Sequence, residues 1–572
     1  MGKLFSHLAS YRRECILAPL FKLLEAVLEL FVPLVVASII DTGIATGNSP
    51  YVVRMVLVLF ALALTGLAVS VTAQYFSAKA ASLFARDAKK ALFEHIETFS
   101  LADCEKIGLP TLINRMTGDM NQVQSGVNMT LRLLLRSPFV VLGAAIMAFI
   151  VDARAALVFA VAIPVLAIIV YLIMRVTVPR FRAVQGDVDE LLSQTRENYK
   201  GARVIRAFNL QDKERESFHG RADRLFSRQI SAAGLSALTN PLTSLVVNLG
   251  IIVLIWYGGV RVDAGSLSQG AVVALFNYMS QILVELIKLA SLIQTMTRAL
   301  ASARRVGAIF DMTSSMEDGT RMDSPCDGPA IEFSHVGFSY NKTGGKVLED
   351  ISFTLERGQT LGIIGATGSG KSTIAALMAR LYDVDEGEVR ILGCPIKSYR
   401  LQYLHDNVTL VLQKARLFRG TILDNLKLAD SQATMDEVKR ALSDAQALDF
   451  VLDKGFEAPV ETGGRNFSGG QRQRLSIARA LVHGGQILIL DDSFSALDYK
   501  TDSLVRGALA KRKDITKVII SQRSSSVMSA DRIILLDNGR IAAMGTHAEL
   551  MATSPIYREI HYTQFEKEDA DV

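Results

Sequence analysis

The sequence predicts two unlike domains in one chain: a bundle of six membrane-crossing helices with long cytoplasmic extensions and, behind it, an α/β domain built around a phosphate-binding loop. Three observations carry this. Half of the 572 residues are hydrophobic and the mean hydropathy is +0.28, too apolar for an ordinary soluble enzyme. Six apolar segments, each near the ~20 residues that a spanning helix needs, precede about residue 300. The stretch Ile363-Ile364-Gly365-Ala366-Thr367-Gly368-Ser369-Gly370-Lys371-Ser372-Thr373 then reads as strand, loop, helix.

The segments fall near 16–40, 52–78, 130–151, 155–177, 237–260 and 271–293. The links after the first, third and fifth are short and carry few basic residues, whereas 79–129 and 178–236 are long and rich in Arg and Lys. The positive-inside rule therefore places both long links and both termini in the cytoplasm of a multi-pass cell-membrane protein. The long links keep a helical period, so the spans are expected to run beyond the bilayer and turn back near Gly108–Arg115 and Gly201–Asn209, where two domains can touch.

Ahead of the first span, Leu4, Phe5, Leu8 and Tyr11 share a helical face edged by Lys3, Arg12 and Arg13, as suits an interfacial elbow helix. Met1-Gly2 with Ser6 also fits an acylation pattern, and the basic start resembles a leader, although the apolar run that follows is too long for one. The net charge of +5, with cations bunched between apolar runs, argues for membrane orientation and against nucleic-acid binding. Cys15, Cys104, Cys326 and Cys394 stand far apart, so they read as reduced spectators. Trp256 and Tyr257 suit an outer-interface anchor.

From about 294 the apolar runs give way to charged residues, Gly, Ser and Pro, and after Ile331 short strands alternate with helices, the pattern of a parallel α/β sheet. The domains expected are thus 1–300 in the membrane, a linker over 301–330, and 331–572 for nucleotide. In the phosphate loop, glycines bring backbone N–H groups up to a phosphate chain and the next helix presents its positive N-terminus. Lys371 reaches the β and γ phosphates, and the Ser372 hydroxyl suits magnesium.

Further stretches make the chain resemble the ATP-binding-cassette (ABC) exporters over nearly its whole length: Phe338-Ser339-Tyr340, Leu410-Val411-Leu412-Gln413, Phe467-Ser468-Gly469-Gly470-Gln471-Arg472-Gln473-Arg474, Ile487-Leu488-Ile489-Leu490-Asp491, Ser495-Ala496-Leu497-Asp498 and Val518-Ile519-Ile520-Ser521-Gln522. The resemblance implies an ABC-type P-loop ATPase domain with ATP and Mg2+ as cofactors. Tyr340 would stack on adenine, and Gln413 would bridge magnesium, attacking water and the membrane-domain contact. Asp491 would orient magnesium beside Ser372, and Asp498 lies in the D-loop at a dimer seam. Ser468, Gly469, Gly470 and Gln471 form the signature, which in this family grips ATP held by the opposite cassette, so two cassettes must pair.

Two positions depart from the family. Asp492 stands where a glutamate normally polarises the attacking water, and its carboxylate is drawn back by roughly 1.5 Å, one methylene. Gln522 stands where a histidine normally meets the γ-phosphate; it donates a hydrogen bond but takes no charge. Binding is expected to survive and hydrolysis at the site built on this chain's Lys371 to be slow. The stretch Glu461-Thr462-Gly463-Gly464-Arg465-Asn466 also departs from the usual wording.

The expected function is therefore one half of an ATP-driven exporter moving amphipathic or hydrophobic cargo out of the cytoplasm, paired with a different half-transporter. The alternatives are a homodimeric exporter and an ATP-gated, channel-like relative. Drugs, lipids and peptides all suit apolar helices with scattered charges. Lys22, Glu25 and Glu29 in the first span, and Glu285 and Lys288 in the sixth, are costly there; they either face cargo or pair with one another.

Overall fold

The computed structural model describes residues 2–323, 327–340 and 344–568, with side chains to 564. Two compact units emerge, Met1–Glu97 with Pro110–Met312, and Thr98–Leu109 with Thr313–Val572.

Among its described residues the first unit holds six helices long and apolar enough to cross a membrane. Ser49–Glu97 has 49 residues, about 74 Å at 1.5 Å per residue and more than twice the bilayer core. Leu157–Lys200 and Gln269–Asp311 are similar, so the expected extensions are continuous helix. The apolar window of Ser49–Glu97 is wholly unburied. Leu57, Phe60, Leu64 and Leu67 point outward from it, as a lipid-facing surface requires. Inside the unit Phe159, Leu166, Leu254, Tyr278, Met279 and Ile282 pack together, and the Tyr278 hydroxyl donates to the Leu30 carbonyl at 2.7 Å. Gly270 lets the last helix start against the first: a Cβ there would lie 2.3 Å from the Ala37 carbonyl oxygen, and its N–H donates to Asp41 Oδ1 at 2.8 Å.

Two boundaries differ from expectation. The first chain reversal lies upstream of 108–115, at Ser100–Gly108, where Ser100 and Asp103 form a capping box on the short helix Leu101–Ile107 and Gly108 closes it at φ +83°. The glycine that marks a turn is thus the end of the turn helix. The short helix Ala202–Ala207 lies between the long helices Leu157–Lys200 and Gln211–Ala237. The last membrane helix runs on to Asp311, into the stretch read as linker, because Ala303, Val306, Ile309 and Phe310 are buried on one face. The elbow is a helical turn whose Leu4 is fully buried and whose Phe5 stacks on Phe84 at 6.2 Å, while the Tyr11 hydroxyl donates to Asp87.

The second unit is built on a six-stranded sheet in the order Arg540–Gly545, Arg532–Asp537, Thr360–Gly365, Thr516–Ser521, Ile487–Asp491, Val408–Val411, parallel except for the first strand. A four-stranded antiparallel sheet flanks it. Side chains alternate between its faces: Ile363, Ile489, Val518 and Ile520 pack on one, Ile364, Leu488, Leu490 and Ile519 on the other. Register pairs Ser521 with Ile364 and Ile520 with Asp491. Three strands therefore end side by side, which is where open α/β sheets place their ligands.

Cys15 and Cys104 are free thiols. Cys394, read as a spectator, is instead disulfide-bonded on the edge strand Cys394–Pro395. Cys326 lies outside the described residues.

Candidate nucleotide site

The loop 366–370 links the buried strand Thr360–Gly365 to the helix Lys371–Met378. Gly368 and Gly370 adopt φ of +84° and +101°, and a Cβ on Gly370 would meet Leu348 at 2.6 Å, so only glycine fits this bend. The buried Lys371 folds across the loop, donating to the Gly365 and Ala366 carbonyls at 2.8 and 2.7 Å. Burial pushes its pKa down while the Asp492 and Asp491 carboxylates pull it back. The Ser369 hydroxyl is 3.5 Å from the same nitrogen.

Asp491 ends the neighbouring strand and accepts from the Ser372 hydroxyl at 3.0 Å. It is buried, and that burial, with the adjacent Asp492, raises its pKa against the pull of Ser372 and Lys371. A hydroxyl and a carboxylate at this distance form the oxygen donor set that magnesium takes. Asp492 sits at φ +46°, a region that aspartate tolerates better than most residues. Its carboxylate accepts from Gln413 Nε2 at 3.0 Å. Gln522, exposed at the end of the strand Thr516–Ser521, completes the row.

Tyr340 is half-exposed and stands edge-on to Phe338 and Tyr382, with ring centroids 5.0 and 5.2 Å away. Its hydroxyl lies 3.1 Å from Thr373 Oγ1, so the ring is aimed by the same helix that opens the phosphate loop. Tyr382 donates to the Glu105 carboxylate at 2.8 Å, and burial followed by that carboxylate raises its pKa. For Tyr340→Ala we expect about three- to tenfold weaker ATP binding, the worth of one stacking contact; Tyr340→Phe loses only the Thr373 hydrogen bond and less than about threefold. Equal losses in a nucleotide titration would assign the effect to the hydroxyl.

The signature stretch opens the helix Gly469–His483, and Ser468 is its N-cap: Ser468 Oγ accepts from the Gln471 N–H at 3.2 Å and Gln471 Oε1 accepts from the Ser468 N–H at 3.0 Å. Ser468 and Gly469 are exposed, with the positive end of a 15-residue helix behind them. Gly470 lets this turn lie on the Ser495–Asp498 loop, since a Cβ there would approach the Ala496 carbonyl oxygen to 3.1 Å. Asp498 caps the next helix, Tyr499–Lys511, by accepting from the Thr501 N–H at 3.0 Å, and that bond lowers its pKa.

Family models match both parts of the chain, the ABC transporter transmembrane region over residues 15–286 and the ABC transporter domain over 348–495. An uncharacterized ABC transporter ATP-binding protein of Mycobacterium tuberculosis is 36% identical, across 99% of this chain and 98% of the relative. The chain belongs to the ABC transporter family. An uncharacterized ABC transporter ATP-binding protein of Bacillus subtilis is 33% identical over the full length of both. An ATP-dependent lipid A-core flippase of Aliivibrio fischeri is 28% identical, covering 98% of this chain and 97% of its own. The fold matches a bacterial Atm1-family ABC exporter solved with ATP bound, with a TM-score of 0.82, 21% identity and coverage of 96% and 98%. The chain is therefore a multi-pass membrane protein with an ATP-binding, ATP-hydrolysing transporter domain, of the exporter type.

In this ABC transporter's membrane unit, the ionisable residues singled out in the sequence converge on one that was not, Arg136. Its guanidinium reaches Glu29 at 2.7 Å and Glu285 at 2.5 Å, with Glu25 at 4.0 Å. Ser137 donates to Glu285 at 2.9 Å, Lys288 pairs with Glu285 at 2.8 Å, and Lys22 with Glu25 at 2.5 Å. Arg136 Nε is buried without a hydrogen-bond partner. Cavities of about 490 and about 550 Å³ adjoin the cluster and share Glu29, Arg136 and Lys288. The signal available was charge balance: Glu25, Glu29 and Glu285 outnumber Lys22 and Lys288 by one in two apolar spans, which leaves a charge for a cation in a third.

Proposed function

We propose that this chain is the half-transporter carrying the impaired ATP site of a heterodimeric exporter in the cell membrane, both termini in the cytoplasm. The observation that carries the reading is Asp492, whose short carboxylate is held by Gln413 at 3.0 Å and so stands back from where a longer glutamate would place it. Gln522 beside it supplies a neutral donor only. The intact Ser468 cap supports the complementary half of the reading: this chain lends a competent signature to its partner's site.

In this chain's own site, Lys371 binds the phosphate chain, the N–H groups of 367–373 surround it, and Tyr340 holds adenine. Ser372, Gln413 and Asp491 would hold magnesium, which would supply charge neutralisation for the phosphates. Nucleotide binding closes the paired cassettes, and the turns at 98–108 and 201–209 pass that closure to the membrane helices as a two-state switch. The cargo is amphipathic. That reading is supported by the cavity in which Glu29, Arg136 and Lys288 stand among Val32, Val36 and Val140.

The test is ATP turnover of Asp492→Asn in the transporter purified from its own membranes. Turnover should change by less than about twofold, because the hydrolysing site is the other one. Loss of nearly all turnover would make this chain's site the working one and return the homodimer.

A further inference from the structure

The C-terminal helix Pro555–Glu568 carries Tyr557, His561 and Gln564 at i, i+4 and i+7, one face, and the last two meet the segment that follows Gln522. Tyr557 is fully buried and its hydroxyl is 2.9 Å from His547 Nδ1, which anchors the helix at that end. At the other end Gln564 meets the switch segment with both halves of its amide. Oε1 accepts from the Ser524 N–H at 2.7 Å and from the Ser524 hydroxyl at 3.1 Å, while Nε2 donates to the Gln522 carbonyl at 2.8 Å. Only this orientation of the amide satisfies an N–H and a C=O together, so the side chain acts as a peptide group added alongside the strand end. His561 Nδ1 lies 3.1 Å from the same Ser524 hydroxyl. Ser521 Oγ takes the Arg523 N–H at 3.0 Å. The backbone on the C-terminal side of Gln522 is thus held at each step.

We propose that Gln564 is a positioning residue for the γ-phosphate contact: it fixes the backbone of Gln522 so that this side chain meets the terminal phosphate. The inference rests on the reading of Gln522 as the switch residue. A glutamine side chain has one more rotatable bond than histidine, so its reach depends more heavily on where its own backbone is pinned. The C-terminal helix therefore does for this chain part of what the ring of a histidine does by its stiffness.

Because ADP lacks the γ-phosphate, the ATP-to-ADP affinity ratio isolates this contact from the rest of the site. With the full chain in nanodiscs, competition against a fluorescent nucleotide should show Gln522→Ala and Gln564→Ala each lowering the ratio about fivefold, the worth of one hydrogen bond. ADP affinity should hold, and the double variant should lose no more than either single one. Gln564→Glu keeps the acceptor for Ser524 but sets a carboxylate oxygen against the Gln522 carbonyl in place of the donor, and should lower the ratio at least as far. If Gln522→Ala lowers the ratio and Gln564→Ala does not, the positioning role is overturned. If ATP and ADP affinities drop together in Gln564→Ala, the amide is merely structural and the proposal also fails. An unchanged ratio in Gln522→Ala would remove the switch reading itself. Should Gln564→Ala not fold, Gln564→Glu decides, an unchanged ratio overturning the proposal.

Discussion

Ser468→Arg should reduce ATP turnover of the assembled transporter to under about a tenth, by putting a bulky cation where close backbone approach to a phosphate is needed. Ser468 is exposed and opens the signature helix, with Gly469 beside it bare of side chain. An arginine there fills the space that two small residues leave and removes the N-cap hydroxyl, which by itself costs about 1 kcal/mol of local stability. ATP binding to this chain's own phosphate loop should persist, since Lys371, Ser372 and Asp491 are untouched. Turnover assays and labelled-ATP occupancy on one preparation distinguish these effects. Undiminished turnover would mean that no hydrolysing site uses this signature, and the heterodimer reading would fall.

Lys371→Ala should weaken ATP binding at the same chain's loop by about 10- to 100-fold, the range of a lost hydrogen bond to a charged group. The loss has two parts. The ammonium proposed to meet the phosphates disappears, and the Gly365 and Ala366 carbonyls, to which it donates at 2.8 and 2.7 Å, lose the group that ties the loop. Lys371→Arg should not rescue it, because the lysine is only 8% exposed and a guanidinium fork needs more room. Equilibrium nucleotide titration reads this directly, and unchanged occupancy would remove Lys371 from the site.

Much of the candidate site's local geometry was legible because a phosphate-loop pattern constrains residues that are close in sequence: Gly368 and Gly370 at positive φ, then Lys371 and Ser372 on the next turn. Asp491 was legible because a wholly buried strand rarely ends in a carboxylate without a task. The hidden features depend on partners far along the chain. Arg136 becomes central only when helices bring it Glu29 and Glu285, 107 and 149 positions away. Gln564 looks like an ordinary polar residue near the chain end until the fold lays it against Gln522, 42 positions earlier. The first turn was placed late because Gly108 was read as the start of a reversal that it ends.

The second unit is discontinuous along the chain, and this sets an order on its assembly. The Asp103 carboxylate accepts from the Ser315 N–H across 212 positions, and Glu105 meets Tyr382 across 277. A ribosome releases the short helix Leu101–Ile107 long before either partner exists. Closing a flexible loop of that length costs about 5 kcal/mol, a penalty that shrinks once the intervening helices have formed and the chain between is no longer a coil. Formation of the intervening helices is thus expected to ease completion of the second unit's fold. A soluble fragment beginning at 313 would carry Ser315 and Tyr382 with those hydrogen bonds unmade, so its thermal unfolding temperature would report on the missing twelve-residue segment Thr98–Leu109 as well as on its own sheet.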